Sequence, residues 1–255
     1  MQGVRERARD DFLIIVNAGR TKPTLYTEYV NGSSMEPGAD YLGVGGGTHK
    51  LLQTIDEVLL WNEENLRYPQ VNWTEGFLLP DQPPDSPDNQ RRMRLFTTRG
   101  LTLSDSYVRL GYTHPFQHPL YMDAVNFWFS FWDADLGQPV GEKAQLYENQ
   151  EGLFIREFTN GWAVYNRSGK AQEVEFPEFV SGVSSEVITK QHVIPDLDGE
   201  MYLKGASHPA DLNGDGIVNI QDLVIMANAL GEAEPDLNGD GVVNIQDLVI
   251  VANAF

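Results

Sequence analysis

The sequence has no cysteine and few basic residues. The lack of cysteine excludes disulfides, thiolate chemistry and cysteine-based zinc sites. The 18 Lys and Arg stand against 37 Asp and Glu, a net charge of −19. This balance argues against a nucleic-acid partner, because phosphate neutralisation needs clustered basic residues. No apolar run reaches the roughly 20 residues of a membrane span, since the densest one, 125–132, is short and flanked by aspartates.

The first residues also lack the layout of a signal peptide, because their short apolar run follows two aspartates. This N-terminus predicts either a cytoplasmic protein or the C-terminal part of a longer chain whose export signal lies upstream.

The last fifty residues carry eight acidic residues and no Lys or Arg, so they alone contribute −8. An acidic segment of this kind indicates a cationic partner, and a divalent metal is the simplest one. The same segment contains a tandem repeat. DLNGDGIVNIQDLVIMANAL at 211–230 returns at 236–255 as DLNGDGVVNIQDLVIVANAF, with seventeen of twenty positions identical.

Each repeat has the oxygen-donor spacing of an EF-hand calcium loop, with ligands at positions 1, 3, 5, 7, 9 and 12 and glycine at position 6. The predicted ligands, with the seventh position acting through its carbonyl, are Asp211, Asn213, Asp215, Ile217, Asn219 and Asp222 in the first loop and Asp236, Asn238, Asp240, Val242, Asn244 and Asp247 in the second. These hard oxygen donors favour two Ca²⁺ ions over zinc. The alternative is an acidic turn repeat that binds no metal.

Each loop leads into a segment with helical periodicity. The apolar positions are Leu223, Met226, Ala227 and Leu230 in the first repeat and Leu248, Val251, Ala252 and Phe255 in the second. One helix cannot bury such a stripe alone, so we expect the two helices to pack together.

An ordinary EF-hand has a helix before the loop, but the short stretches GASHPA and GEAEP precede these loops. A duplicated loop-then-helix unit resembles the type I dockerin family, over about residues 209–255 of a predicted domain at 205–255. The resemblance implies calcium-dependent attachment to a cohesin-like module on a scaffold, as in cellulosomes, and an extracellular or cell-surface location.

Loop positions ten and eleven depart from the pattern of cellulosomal dockerins, which often carry hydroxyl residues there. Here they are Ile220–Gln221 and Ile245–Gln246. The repeat predicts two equivalent faces, each presenting Ile, Gln and Val, that favour an apolar contact with a partner. Alternatively, the two isoleucines pack inward against the neighbouring domain.

Residues 143–204 predict a small antiparallel β domain. The runs GLFIREFT, GWAVYNRS, AQEVEF and EMYLK have strand length and are rich in β-branched and aromatic residues. Turns at Asn160–Gly161, Ser168–Gly169, Pro177 and Asp198–Gly199 separate them, and the first two predict tight hairpins.

Residues 1–142 predict α/β structure. Short strands in DFLIIVNA, LYTEYVNGSSMEP and PQVNWTEGF alternate with helices at 48 to about 66 and at 89–111, while NFWFSFWDADLG fits either a strand or a helix. DFLIIVNA is typical of a strand buried on both faces. Alternating strands and helices indicate parallel βαβ units. The predicted fold class is therefore the C-terminal part of a β/α barrel, then the β domain, then an all-α calcium-binding module.

The stretches FWDADLG, IREFTNGWAVYNRSG and DLDGEMYL resemble the end of bacterial glycoside-hydrolase-like proteins. The resemblance implies a pair of carboxyl groups at the C-terminal ends of barrel strands. Glu36 and Glu75 fit that position, and Asp133 and Asp135 are third choices. The alternative for each is a solvated loop residue or a helix cap. The aromatic residues Trp73, Trp128 and Trp132 either stack on sugar rings or pack in the core.

Two functions follow from the sequence. The first is an extracellular protein linked to polysaccharide breakdown, an O-glycosyl hydrolase or its inactive remnant, tethered through the calcium-binding module. The alternative is a non-catalytic carbohydrate-binding or cell-surface attachment protein that uses the same tether.

Overall fold

A computed structural model describes residues 1–35, 48–76, 78–79, 82–105, 127–205 and 207–255. None of the helices in these ranges is long and apolar enough to cross a membrane.

The N-terminal part contains a short parallel sheet. After helix α1 (Gln2–Arg5) come strands β1 (Ile15–Asn17), β2 (Gly32–Met35) and β3 (Trp73–Thr74). The strands lie in the order β1-β2-β3 and both pairs are parallel, as the alternation of strands and helices predicts. The prediction that the first strand is buried on both faces was wrong, because β1 lies at an edge of this sheet and its side chains are partly exposed.

Two long helices pack beside this sheet. Helix α2 (Thr48–Asn65) confirms the predicted helix at 48–66, and helix α3 (Pro87–Leu103) begins at the N-cap Ser86, whose hydroxyl accepts the N–H of Asn89 at 3.3 Å. The prediction extended α3 to residue 111. Instead Ser104 is extended, because its hydroxyl and the N–H of Asp105 both bind the buried carboxylate of Glu63.

The second sheet has five antiparallel strands, namely β4 (Leu153–Phe158), β5 (Gly161–Asn166), β6 (Gln172–Gly182), β7 (Ile188–Ile194) and β8 (Asp198–Leu203). Their order is β4-β5-β8-β6-β7. The predicted hairpin at Asn160–Gly161 is confirmed, since it joins the paired strands β4 and β5. The predicted hairpin at Ser168–Gly169 was wrong, because β8 lies between β5 and β6.

Three details of this sheet differ from the sequence prediction. Strand β7 was missed, because it does not alternate in polarity: the polar His192 is buried while the apolar Val193 is exposed. Pro177 does not end a strand, since β6 continues through it with a shift of register between Glu175 and Val180. A proline is tolerated at such a bulge because no ladder hydrogen bond is required there. Asp198–Gly199 belongs to β8 rather than to a turn.

The two sheets are joined by α3 and by shared apolar clusters. Side chains of β2, α2 and α3 pack with Phe154 and Tyr165 of the antiparallel sheet in one buried cluster. Helix α3 lies so close to β8 that a Cβ on Gly199 would be 1.8 Å from the Thr98 hydroxyl oxygen. The domain boundary between residues 142 and 143 stays a prediction. Residues from both sides of it contribute to this one buried cluster. A closed β/α barrel also stays a prediction.

The C-terminal part consists of two loops and two nine-residue helices, α4 (Ile220–Asn228) and α5 (Ile245–Asn253). The helices pack against each other, as predicted, around the buried residues Ala210, Val218, Met226, Val243 and Val251. Of the four apolar positions predicted in each helix, only the first two are buried or half-buried. Leu230 and Phe255 are 50% and 59% exposed, because both helices end before these residues.

Candidate metal-binding and docking site

Both C-terminal loops are shaped by glycines in the left-handed region. Gly214 and Gly216 have φ of 72° and 85°, and Gly239 and Gly241 have φ of 74° and 93°. Residues with a Cβ rarely adopt these angles, so the fourth and sixth loop positions require glycine. The repeat therefore builds the same turn twice.

The first aspartate of each loop organises the turn. Oδ1 of Asp211 accepts the N–H of Gly214 at 2.9 Å, and its Oδ2 accepts the N–H of Gly216 at 2.8 Å. Asp236 accepts the N–H groups of Gly239 and Gly241 at 2.8 and 2.7 Å. These bonds hold the carboxylate of the first predicted ligand against the backbone of its own loop.

The last predicted ligands, Asp222 and Asp247, are fully buried and have a further role. Each forms a capping box with the asparagine three residues before it, which is the N-cap of the following helix. Oδ1 of Asp222 accepts the N–H groups of Leu212 and Asn213 at 2.8 and 3.2 Å, and its Oδ2 accepts that of Asn219 at 2.8 Å. Sequence reasoning missed this role, although the spacing Asn-x-x-Asp just before an apolar run signals it.

Backbone hydrogen bonds make both carboxyls more acidic than usual. Burial by itself raises the pKa of Asp222, but the N–H groups of Asn219, Asn213 and Leu212 outweigh burial and lower it. At Asp247 the N–H of Asn244 has the largest effect and lowers the pKa. Both side chains are therefore anionic at neutral pH, the form in which a carboxylate binds a cation.

The remaining predicted ligands lie on the exposed side of each loop. In the second loop, Nδ2 of Asn244 is 2.9 Å from Oδ2 of Asp240 and 3.1 Å from the carbonyl oxygen of Val242. In the first loop, Nδ2 of Asn213 is 3.0 Å from Oδ2 of Asp215. In both loops an asparagine amide N–H thus donates to oxygens of the kind that Ca²⁺ prefers as ligands.

The donors of each loop fit a calcium ion in their chemistry. All are carboxylate, amide or carbonyl oxygens, and the glycine-shaped turn has the EF-hand spacing. In the described ranges no three His, Asp or Glu side chains converge at metal-binding distance. Asp222 and Asp247 direct their oxygens to backbone N–H groups instead. The twelve-residue ligand set stays a prediction.

An exposed apolar face accompanies each helix. Ile220 and Ile245 are 61% and 70% exposed, and Val224 and Val249, one turn further on, are 53% and 51% exposed. The alternative in which the two isoleucines pack inward is therefore wrong. The side-chain oxygens of Gln221 and Gln246 accept hydrogen bonds from Asn213 and Asn238 at 3.2 and 3.0 Å, so each glutamine is tied to its own loop.

The candidate catalytic carboxylates that lie in the described ranges, Glu75, Asp133 and Asp135, have different hydrogen-bond partners. Glu36 lies outside the described residues. Glu75 directly follows β3, is half-buried, and donates its N–H to the Met35 carbonyl at 3.1 Å. Asp133 accepts the indole N–H of Trp128 at 3.0 Å, and Asp135 accepts the N–H of Gly137 at 3.0 Å.

The three tryptophans differ in their surroundings. Trp132 packs in an apolar cluster and donates its indole N–H to the Thr97 hydroxyl at 3.0 Å, which agrees with the core alternative. Trp73 is half-buried in β3. Trp128 is 62% exposed and lies edge-to-face on Trp132, with 5.2 Å between ring centroids.

Residues 209–255 match the model of the dockerin type I domain, which confirms the resemblance over the range on which it was based. Dockerin type I domains bind calcium, and their presence implies calcium-dependent binding to a cohesin. Proteins that carry them are typically extracellular or located at the cell surface. No curated protein matches the chain.

Proposed function

We propose that this chain is an extracellular or cell-surface protein linked to polysaccharide breakdown. Its dockerin domain holds two Ca²⁺ ions and attaches a glycoside-hydrolase-like part to a scaffold that carries cohesin modules. The observation that carries the proposal is the pair of equivalent loops, each followed by a capped helix with an exposed isoleucine.

In this proposal calcium stabilises each loop in the conformation that leads into its helix. The six donors of a loop include three aspartates, so one Ca²⁺ leaves a charge of −1 where the unliganded loop has −3. Relief of repulsion among these carboxylates favours the ordered turn. Because ligands must be brought together in the folded state, the free energy of calcium binding also stabilises the fold.

The docking surface is apolar and occurs twice. Ile220 with Val224, and Ile245 with Val249, each form a small exposed patch one helical turn long. Both glutamines between them are bonded to the loops, so the contact with a cohesin relies on hydrophobic burial more than on hydrogen bonds.

The test is calorimetric titration of the full chain with a type I cohesin, first with calcium and then with EDTA. We expect binding only with calcium. Binding of equal strength in EDTA, or no binding to any type I cohesin, contradicts the attachment role. Lys170→Gln, an exposed change in the turn between β5 and β6, is the control and leaves binding unchanged.

The proposal of a hydrolase-like part rests on the position of one carboxylate in the described structure, that of Glu75. Glu75 follows β3 at the carboxyl end of a parallel strand, where β/α-barrel enzymes place catalytic residues. Glu36 is its proposed partner, one as the acid and the other as the nucleophile or base. Polysaccharide is the proposed substrate class of this hydrolase-like part, although the chain itself should hydrolyse it weakly or not at all.

A second candidate is a non-catalytic carbohydrate-binding or surface-attachment protein. The exposed indole of Trp128 favours it, because a solvent-facing aromatic ring supported by a second ring can stack on a sugar. Loss of polysaccharide binding in Trp128→Ala, without any hydrolysis by the unmodified chain, supports this candidate over the enzyme.

A further inference from the structure

The parallel sheet has two faces of different character, and one of them packs against the long helices. Nδ2 of Asn62 on α2 donates to the Ser33 hydroxyl at 2.7 Å. Nη1 of Arg99 on α3 donates to the Thr74 hydroxyl at 2.6 Å, and Met35 packs in one cluster with residues of both helices. Ser33, Met35 and Thr74 are all buried, so the helices close this face.

The opposite face carries a row of residues that runs across all three strands. Successive side chains of a strand point to opposite faces, so Ser34 and Trp73 point away from the helices. The register pairs Asn17 of β1 with Ser34 of β2, and Ser34 with Trp73 of β3. Asn17 is exposed, and Ser34 and Trp73 are half-buried, so this row is accessible where the helix-facing residues are not.

The proposed catalytic carboxyl group belongs to the same face as this row. Glu75 stands two residues after Trp73, which places it on the same face and about 7 Å further along the strand. Its N–H donates to the carbonyl of Met35 at 3.1 Å, so the pairing of β2 and β3 extends to it. The row and Glu75 therefore lie side by side at the carboxyl ends of the strands, where β/α-barrel enzymes bind their substrates.

The row offers hydrogen bonds without offering a positive charge. Asn17 supplies an amide and Ser34 a hydroxyl, and Oδ1 of Asn17 accepts the N–H of Gly19 at 3.1 Å, which fixes this amide at the strand end. An amide and a hydroxyl both donate and accept, which matches the hydroxyl groups of a sugar. None of the four residues is basic, so an acidic ligand gains no countercharge from them.

We propose that Asn17 and Ser34 are specificity-determining residues that hydrogen-bond the hydroxyl groups of a neutral saccharide chain beside Glu75. Neighbouring strands lie about 4.8 Å apart, so the row from Asn17 to Trp73 spans about 10 Å and follows the saccharide across the sheet. The choice of a saccharide rests on the proposed hydrolase-like function. Binding to this row requires neither calcium nor the cohesin.

The experiment is NMR titration of the full chain with short neutral oligosaccharides of glucose, xylose and mannose. We expect millimolar binding that shifts the side-chain amide signal of Asn17 and the indole N–H signal of Trp73. Asn17→Ala and Ser34→Ala should each weaken binding by about threefold to tenfold, the usual effect of losing one hydrogen bond. Contacts with individual hydroxyls distinguish sugars, so both variants should also narrow the ratio of affinities between the best-bound and worst-bound oligosaccharide.

Two control variants separate binding from stability. Ser33→Ala changes the neighbour of Ser34 that points to α2, so it should lower stability through the lost bond to Asn62 and leave saccharide affinity unchanged. Asn65→Ala removes an exposed amide on α2 that donates to the Trp61 carbonyl, and should change neither property.

Four results would overturn the proposal. They are no binding of any neutral oligosaccharide at tens of millimolar, unchanged affinity in both row variants, equal weakening by Ser33→Ala and Ser34→Ala, and binding only of uronic acids. Binding that shifts Trp128 but neither Asn17 nor Trp73 also rejects the row, while it keeps the proposed link to polysaccharides. Calcium-dependent cohesin binding is measured on the same variants and should be unchanged, so failure of attachment is recognised separately.

Discussion

Asp56 of α2 and Arg167, which follows β5, form a buried ion pair across the two halves of the fold, with 2.6 Å between Oδ2 and Nε. The other oxygen of Asp56 is 2.6 Å from Nε of Arg99 on α3, whose side chain is fully buried. One carboxylate therefore joins both long helices to the antiparallel sheet. The guanidinium of Arg167 also lies over the ring of Phe154, 5.3 Å from its centroid.

Removal of this carboxylate should destabilise the protein strongly. Asp56→Ala leaves two buried guanidinium groups without their countercharge, and breaking a buried pair in this way costs about 3–5 kcal/mol. The measurement is urea unfolding followed by tryptophan fluorescence. Glu57→Ala, the exposed neighbour on the same helix, is the control and should change stability by less than about 0.5 kcal/mol. Equal stability of the two variants would contradict a joining role for Asp56.

Acid should weaken the contact that ends α3. Burial by itself raises the pKa of Glu63, but hydrogen bonds from Lys143, Ser104 and Asp105 outweigh it and lower the pKa. A depressed pKa gives stability that is present above the unfolded-state pKa near 4.5 and is lost as the pH falls through the folded-state value.

We therefore expect Glu63→Gln to cost about 2 kcal/mol at pH 7 and much less near pH 3. Unfolding free energies measured across this range test it, with the exposed Glu64→Gln as control. A cost for Glu63→Gln that is independent of pH would show that the charge of this residue has no role.

Calcium stoichiometry should be two per chain and should fall to one in each single loop variant. Asp211→Ala removes the residue that organises the first loop, and Asp236→Ala does the same in the second. Calorimetric titration of the full chain with Ca²⁺ gives the counts, and circular dichroism with EDTA and then calcium gives the gain in helix. Unchanged helix content on removal of calcium would contradict the coupling of metal binding to folding.

The two docking faces should substitute for one another. Either Ile220→Asp or Ile245→Asp alone should retain cohesin binding, and the double variant should lose it, because a charge in an apolar contact cannot be buried without cost. Calcium stoichiometry and helix content should stay constant, since both side chains are exposed. Loss of binding in one single variant would show that the faces are not equivalent.

Hydrolysis of common polysaccharides by this chain should be weak or absent. Three parallel strands are described, whereas a β/α barrel uses eight and draws its catalytic groups from several of them. Reducing-sugar release from cellulose, xylan, mannan and starch is the measurement. Robust turnover that disappears in Glu36→Gln or Glu75→Gln would overturn this expectation and identify the carboxylate concerned.

Local patterns in the sequence predicted a good part of the described fold. The loop spacing and its repetition identified residues 209–255, and the period of apolar residues identified α2. Glycine and asparagine turns identified the hairpin between β4 and β5. Strand β7 was missed because a polar residue, His192, is buried and an apolar one, Val193, is exposed, which removes the expected alternation. The length of α3 was overestimated because Glu63, forty-one residues from Ser104, ends it.

The sequence by itself determined the features that depend on near neighbours, namely the oxygen donors, the glycine turns and the apolar periods, because those distances are set by covalent spacing. Only the tertiary structure decided that β8 separates β5 from β6, that Asp56 meets two arginines, and that Ile220 and Ile245 face solvent. These features depend on which distant segments exclude water from each other, and local patterns along the chain do not reveal that pairing.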